Sequence, residues 1–266
     1  MALLIGCIAD DLSGATDVAV TFSREGLSVL QINGVPDPAL PAPNADAVVV
    51  ALKSRTIPPN EAIRMSLASL AWLRSHGAER IYFKYCSTFD STPRGNIGPV
   101  TEAMAGALGA GIVPATPAYP RNGRTVYLGY LFVGELLLSE SSMRSHPLTP
   151  MSDANLVRVL AAQSKTKVGL VPHTIMEGGA ETIAVRLREL GASGYGQAIL
   201  DATSDGHLIA AGKAVLDFPL TTGGAGLAMG LAVNLRNQAR GADATAFPQP
   251  SGPAVILAGS CSQATL

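Results

Sequence analysis

The chain has 266 residues, 47% hydrophobic and 15% charged, with 19 Lys and Arg against 20 Asp and Glu for a formal net charge of -1. That length suits one large domain or two modest ones around a substantial core, and the composition excludes a disordered chain. Nothing in the overall charge balance argues for nucleic acid or anionic membrane as a partner, and the longest apolar runs, such as AVVVAL and PAVILAG, are too short to cross a bilayer.

The first residues, MALLIGCIADD, lack a basic leader and run into acidic positions, so a first strand is expected there and not a signal peptide. Residues 3–9 are that buried strand, followed by a helix from about Ser13. AVVVAL (47–52) is a second strand, and residues 59–75 carry Ile63, Leu67, Leu70, Ala71 and Leu73 at helical spacing, with Pro at the start. RIYFKYC (80–86) is a third strand and GNIGPVTEAMAGAL opens another helix. GIVPATP (111–117) is a fourth strand. TVYLGYLFV reads as β-structure crossing the ligand end of the sheet, with Asn122–Gly123 as a turn or hairpin tip. DANLVRVLAAQ (153–163) reads as a helix with Asp153 as N-cap, and KVGLVP (167–172) and QAILDAT (197–203) as strands with helices near 175–190 and 205–216. The alternation predicts an α/β fold, a mostly parallel sheet with helices on both faces. Residues 239–253 have the composition of a linker, and AVILAGS after it reads as a further buried strand.

In open parallel sheets ligands sit beyond the carboxyl ends of the strands. The first such loop, IADDLSGATD, holds Asp10 and Asp11, which could bind a polyol or Mg²⁺ or take a proton from a hydroxyl; alternatively Asp11 or Ser13 caps the helix. In LKSRTIPP, Lys53 and Arg55 suit a carboxylate or phosphate, or are simply solvated cations. The run KYCSTFDSTPRGNIGPV packs Ser87, Thr88, Asp90, Ser91 and Thr92 between Lys84 and Arg94, the pattern of a ligand rich in hydroxyls. Lys84 is expected to point inward onto Asp90 or a ligand. HPLTPM (146–151) is a Pro-bound loop that could join the cover, and TTGGAGLAMGLA (221–232) has the composition of an anion-cradling loop opening a helix, without the Walker lysine. The four histidines show no cluster in the sequence, and a capping or surface role is expected for each. Cys7, Cys86 and Cys261 are widely spaced without a CxxC, so a reducing cytoplasm is expected, with no disulfide and no zinc site.

The segments IADDLSGATD, KSRT, KYCSTFDSTPRGNIGPV, PAYPRNGRTVYLGYLFV, HPLTPMSDANL, TTGGAGLA and LAGSCSQAT, in this order from Ala9 to the last residue, resemble the four-carbon acid sugar kinase family. The departure is Ser13, where the family more often has Thr. The resemblance implies ATP and Mg²⁺ as cofactors and phosphorylation of the O4 hydroxyl of a 3-oxo-tetronate. It implies an acid-sugar domain over residues 1–240, a linker at 241–253, and at 254–266 the first strand of a truncated C-terminal nucleotide-binding domain. Asp10 and Asp11 would then be catalytic; Arg55, Lys84, Ser87, Thr88, Asp90, Ser91, Arg94 and Asn96 would hold substrate; Gly223, Gly224, Ser260 and Ser262 would face ATP. No residue is expected as a dedicated metal ligand. The partners would be a small sugar acid and ATP, with a homodimer as a candidate assembly. Two other readings stand beside it: a stand-alone sugar-acid binding module, and a Mg²⁺-dependent sugar-acid isomerase or aldolase.

Overall fold

The computed structural model describes residues 3–240 together with 252, 253 and 255. The expected linker beyond 240, the strand AVILAGS, Ser260 and Ser262 therefore lie outside the described residues.

The main sheet has eight strands, all parallel: β1 (Ile5–Ala9), β2 (Val29–Asn33), β3 (Ala47–Ala51), β4 (Arg80–Lys84), β5 (Val113–Thr116), β9 (Lys167–Val171), β10 (Tyr195–Leu200) and β11 (Leu220–Gly223), in the order β2-β3-β1-β4-β11-β5-β10-β9. A second, antiparallel sheet consists of β6 (Arg124–Tyr127), β7 (Tyr130–Val133) and β8 (Leu136–Leu137). The central strands are covered on both faces, which is why β1 and β3 are unbroken apolar runs with every residue buried. Helices α2 (Pro59–Ser75), α3 (Ile97–Leu108) and α4 (Leu156–Ala161) pack one on the next. Helices α1 (Leu12–Arg24), α8 (Ala225–Leu235), α7 (Asp205–Ala214) and α6 (Gly179–Ala192) form the other layer. The short helix α5 (His173–Met176) precedes α6.

Three local expectations are corrected. β2 is a strand that the sequence reading passed over. It is an edge strand with Leu30 exposed and with Gln31 and Asn33 along it, so it lacks both a continuous apolar run and a clean alternation. Thr221–Gly223 belong to the buried central strand β11, not to a loop, and only Gly224 caps α8. α4 is capped by Asn155, whose side chain accepts from the Arg158 N–H; Asp153 instead accepts from the Asn155 N–H and pairs with the Arg158 guanidinium.

The hairpin tip between β6 and β7 is Leu128–Gly129, with φ of 49° and 77°. Positive φ at both central residues is the turn that matches strand twist. Asn122–Gly123 ends a single 3-10 turn before β6. The tip is held by Asp201, fully buried just after β10, which accepts from the backbone N–H groups of Leu128 (2.6 Å), Gly129 (2.9 Å) and His173 (2.8 Å). Burial pushes the Asp201 carboxyl above the usual carboxylate range, and these three N–H donors pull against that rise. The small sheet is thereby fixed at the carboxyl end of the main one, where Val126 bridges to Ala202.

Candidate active site

The chain passes from β1 to β2 and β3 on one side of β1, then returns to β4 on the other. That reversal opens a crevice at the carboxyl ends of β1 and β4, the place where such sheets bind ligands. Asp10 and Asp11 follow β1, Arg55 follows β3, and the Ser/Thr-rich run follows β4. Asp10, Asp11, Arg55 and Asp90 line a cleft of about 270 Å³ together with His146, Leu148 and Thr149.

Arg55 organises the floor. Its Nε and one terminal nitrogen grip Asp10 through two bonds of 2.9 and 2.8 Å. The same terminal nitrogen donates to Asp11 Oδ1 at 2.7 Å, and the other reaches Asp90 Oδ2 at 3.5 Å. Asp10 is 4% exposed. Burial pushes its carboxyl above the usual range, with the Arg55 charge opposing, and the same carboxylates raise the pKa of Arg55. Asp11 does both things expected of it: its Oδ1 caps α1 by accepting from Gly14 N–H at 3.2 Å and also meets Arg55. Its Oδ2 makes no hydrogen bond within the described residues and is the carboxylate oxygen left for a ligand.

Lys84 is buried, but its ammonium donates to the Tyr85 carbonyl at 2.9 Å and forms no ion pair with Asp90 or any other carboxylate of the described residues. A Cβ placed on Gly14 would lie 3.1 Å from its Nζ, so the cation sits against the first turn of α1. Its charge acts at longer range on Asp10 and Asp17, whose carboxyls it pulls downward against their burial. Lys53, Arg55 and Lys84 together balance Asp10, Asp11 and Asp90.

The loop after β4 is strained. Phe89 and Asp90 have φ of 63° and 32°, left-handed values that cost about 1–3 kcal/mol each in a non-glycine residue. Packing of the buried Phe89 ring edge-on to Tyr85 and the 2.6 Å bond from Thr88 Oγ1 to Asp90 Oδ1 hold it there. The result is to turn the Asp90 carboxylate toward Arg55. Cys86 opens the same loop; burial, with the Asp90 charge, pushes its thiol up to about 11.

The other expected residues divide. Ser87 is half-buried in the loop, and Arg94 is exposed and outside the cleft lining. Ser91 Oγ accepts from Gln163 Nε2 at 2.8 Å. Asn96 spends its amide on the carbonyls of Ser54 (2.7 Å), Ile57 (2.9 Å) and Arg55 (3.3 Å), which fixes the loop carrying Arg55. Gln163, which the sequence reading did not single out, also binds Thr92 O and Gly98 N–H and so staples this run to α3. Gly223 lies beside Lys84 in the sheet; a Cβ there would stand 2.3 Å from the Thr116 carbonyl, and Gly224 N–H donates to that same carbonyl at 3.0 Å. Close packing on β5 accounts for both glycines.

The histidines are not scattered as expected. His146 lines the cleft, and His173 and His207 lie edge to face at 5.0 Å with Glu177 between them. His207 Nδ1 accepts from the Thr203 N–H at 3.2 Å, which leaves its proton on Nε2, bonded to Glu177 at 2.7 Å. With these bonds the triad forms a hydrogen-bonded tie between the ends of β9 and β10.

Residues 5–231 match the family model described as sugar-binding N-terminal domain. Over 98% of its length the chain is 53% identical to a 3-oxo-tetronate kinase of Cupriavidus necator, and it spans 62% of that relative. A Haemophilus influenzae crystal structure superposes with a TM-score of 0.86 at 48% identity, covering 93% of this chain and 59% of that one. A domain of unknown function from Bordetella bronchiseptica, a domain-swapped dimer with bound citrate, superposes with a TM-score of 0.73 at 28% identity, covering 87% and 57%. The chain belongs to the sugar-binding N-terminal domain family and resembles the 3-oxo-tetronate kinases over nearly all of its own length.

Proposed function

We propose that this chain is the acid-sugar-binding part of a kinase that phosphorylates O4 of a 3-oxo-tetronate. The observation that carries the reading is the cleft itself: three carboxylates gathered on Arg55 at the switch point of the sheet, with the buried Lys84 against the first turn of α1. Carboxylates accept only, so they select hydroxyl donors, while Lys53 and the outer nitrogen of Arg55 suit the acid's own carboxylate. The citrate of the Bordetella relative, a hydroxylated acid, and the kinase names of the sequence relatives favour this reading over a stand-alone binding module or an isomerase or aldolase.

In the proposed reaction a bond forms between O4 and the γ-phosphorus of ATP, the bond to the β,γ-bridging oxygen breaks, and ADP leaves. Asp11 Oδ2 orients the hydroxyl and takes its proton; Asp10, with both oxygens committed to Arg55, fixes the guanidinium and thereby Asp11. Lys84 offsets charge developing on the transferred group. Mg²⁺ and ATP, when bound, supply the phosphoryl group and its charge neutralisation. Asp90 Oδ2, which meets Arg55 only at 3.5 Å, would be the oxygen to hold Mg²⁺, leaving Asp11 Oδ2 to the hydroxyl. The described residues carry the acid-sugar side, and the remaining nucleotide contacts, including the expected Ser260 and Ser262, fall outside them. Residues 1–240 as one domain, a linker at 241–253 and a homodimer are parts of the same proposal. Among the described residues no helix is long and apolar enough to cross a membrane.

The test is ADP release by the complete gene product with a panel of four-carbon sugar acids, the product examined by phosphorus NMR. Phosphate on O4 of a 3-oxo-tetronate is expected; ATP left unconsumed with every acid would overturn the reading.

A further inference from the structure

The cleft has one wall that the proposed chemistry does not use. His146 leaves the short 3-10 turn of residues 142–145 and lines the same cleft as Asp10 and Arg55. Its ring is not free to choose a tautomer. Nδ1 accepts from the Thr149 backbone N–H at 3.1 Å and lies 2.9 Å from the Thr149 hydroxyl. An N–H aimed at Nδ1 forces the proton of the neutral imidazole onto Nε2. Thr149 itself is 6% exposed, so the pairing is built into the loop and not made in solvent. Nε2–H makes no hydrogen bond within the described residues.

The floor and this wall are therefore complementary in kind. The carboxylates of the floor can only accept, and Asp11 Oδ2, the oxygen left open, reads a hydroxyl group. His146 Nε2 can only donate in this tautomer, so it reads an oxygen acceptor.

We propose that His146 is a substrate-positioning residue, donating from Nε2 to an acceptor oxygen of the sugar acid, with Thr149 setting its tautomer. This rests on the sugar-acid reading of the cleft and deepens it: the ligand must present hydroxyl donors to one wall and an acceptor oxygen to the other. Half-burial of the ring and the fixed Nδ1 partner mean that the donor is in place before the ligand arrives.

The experiment is calorimetric titration of the 266-residue chain with 3-oxo-tetronate, comparing wild type, His146→Ala and His146→Gln, with folding checked by circular dichroism. Gln places an amide N–H close to where Nε2 stood. The expected result is binding about tenfold weaker in His146→Ala and restored to within about threefold in His146→Gln. In parallel, nitrogen-15 NMR of the wild-type ring should show the Nε2–H tautomer, with its Nε2 resonance moving on titration; this reading holds even if the Ala variant does not fold. Wild-type binding with His146→Ala within twofold, or an unmoved Nε2 resonance, would overturn this inference and leave the proposed function standing. Absence of binding by folded wild type would overturn both.

Discussion

Arg55→Met removes the one cation that three carboxylates share while keeping most of the side-chain volume. Asp10 is nearly fully buried, so the variant leaves it in a low-dielectric site facing Asp11 without a counter-charge. Breaking a buried ion pair by deleting one partner costs about 3–5 kcal/mol. For a domain of this size that is a drop of roughly 6–20 °C in melting temperature. The deficit should depend on pH in a definite direction. Asp10 already titrates above its ordinary value because of burial, and Arg55 opposes that rise, so its loss moves the carboxyl further up. A carboxylate whose pKa is raised in the folded state is penalised when ionised. The penalty is full above the folded pKa and fades as pH falls through it toward the unfolded value of about 4. Thermal unfolding of both proteins at about pH 7.5 and about pH 5 checks this. The gap between them should narrow at the lower pH. A deficit under about 1 kcal/mol, as for an exposed pair, or one that widens on acidification, would refute the argument.

Asp201→Asn should cost about 2–3 kcal/mol, because three backbone N–H groups lose a charged acceptor, and hydrogen exchange should quicken at Leu128, Gly129 and His173 before the rest of the fold. Gly223→Ala drives a methyl into the Thr116 carbonyl and is expected to lower the yield of folded protein or its stability by more than about 2 kcal/mol, read by denaturant titration. At about pH 8 Cys86 should alkylate far more slowly than a free thiol, since burial and the Asp90 charge push its pKa up to about 11; Asp90→Asn removes that charge and should speed the reaction, followed by mass spectrometry of the modified peptide.

The sequence made the sheet legible where strands are buried on both faces. IGCIA, AVVVA and RIYFK have no other comfortable place, and the loops that follow them collect Asp10, Arg55 and Asp90 by the strand-end rule. β2 escaped because an edge strand needs no continuous apolar run, and β11 because LTTG is too short and too rich in Thr and Gly to read as strand without β4 and β5 beside it. At the site, residue type identified which side chains could bind a sugar acid but not how their bonds are shared. Asn96 and Ser91 have suitable chemistry, yet the structure spends it on Ser54, Ile57 and Gln163. Arg55 reads as a clamp for a ligand carboxylate, while three protein carboxylates take most of its donors. His146 and the His173–His207 pair could not be placed from spacing, because loops distant in sequence bring them to the cleft and to each other.

The most direct test of the account is calorimetric titration of the folded 266-residue chain, without ATP, with 3-oxo-tetronate and with succinate, a four-carbon diacid that lacks hydroxyls. The cleft as described predicts a dissociation constant on the order of micromolar for the sugar acid and none tighter than about millimolar for succinate. A folded chain that binds both equally, or neither, would contradict the assignment of this cleft to a hydroxylated acid.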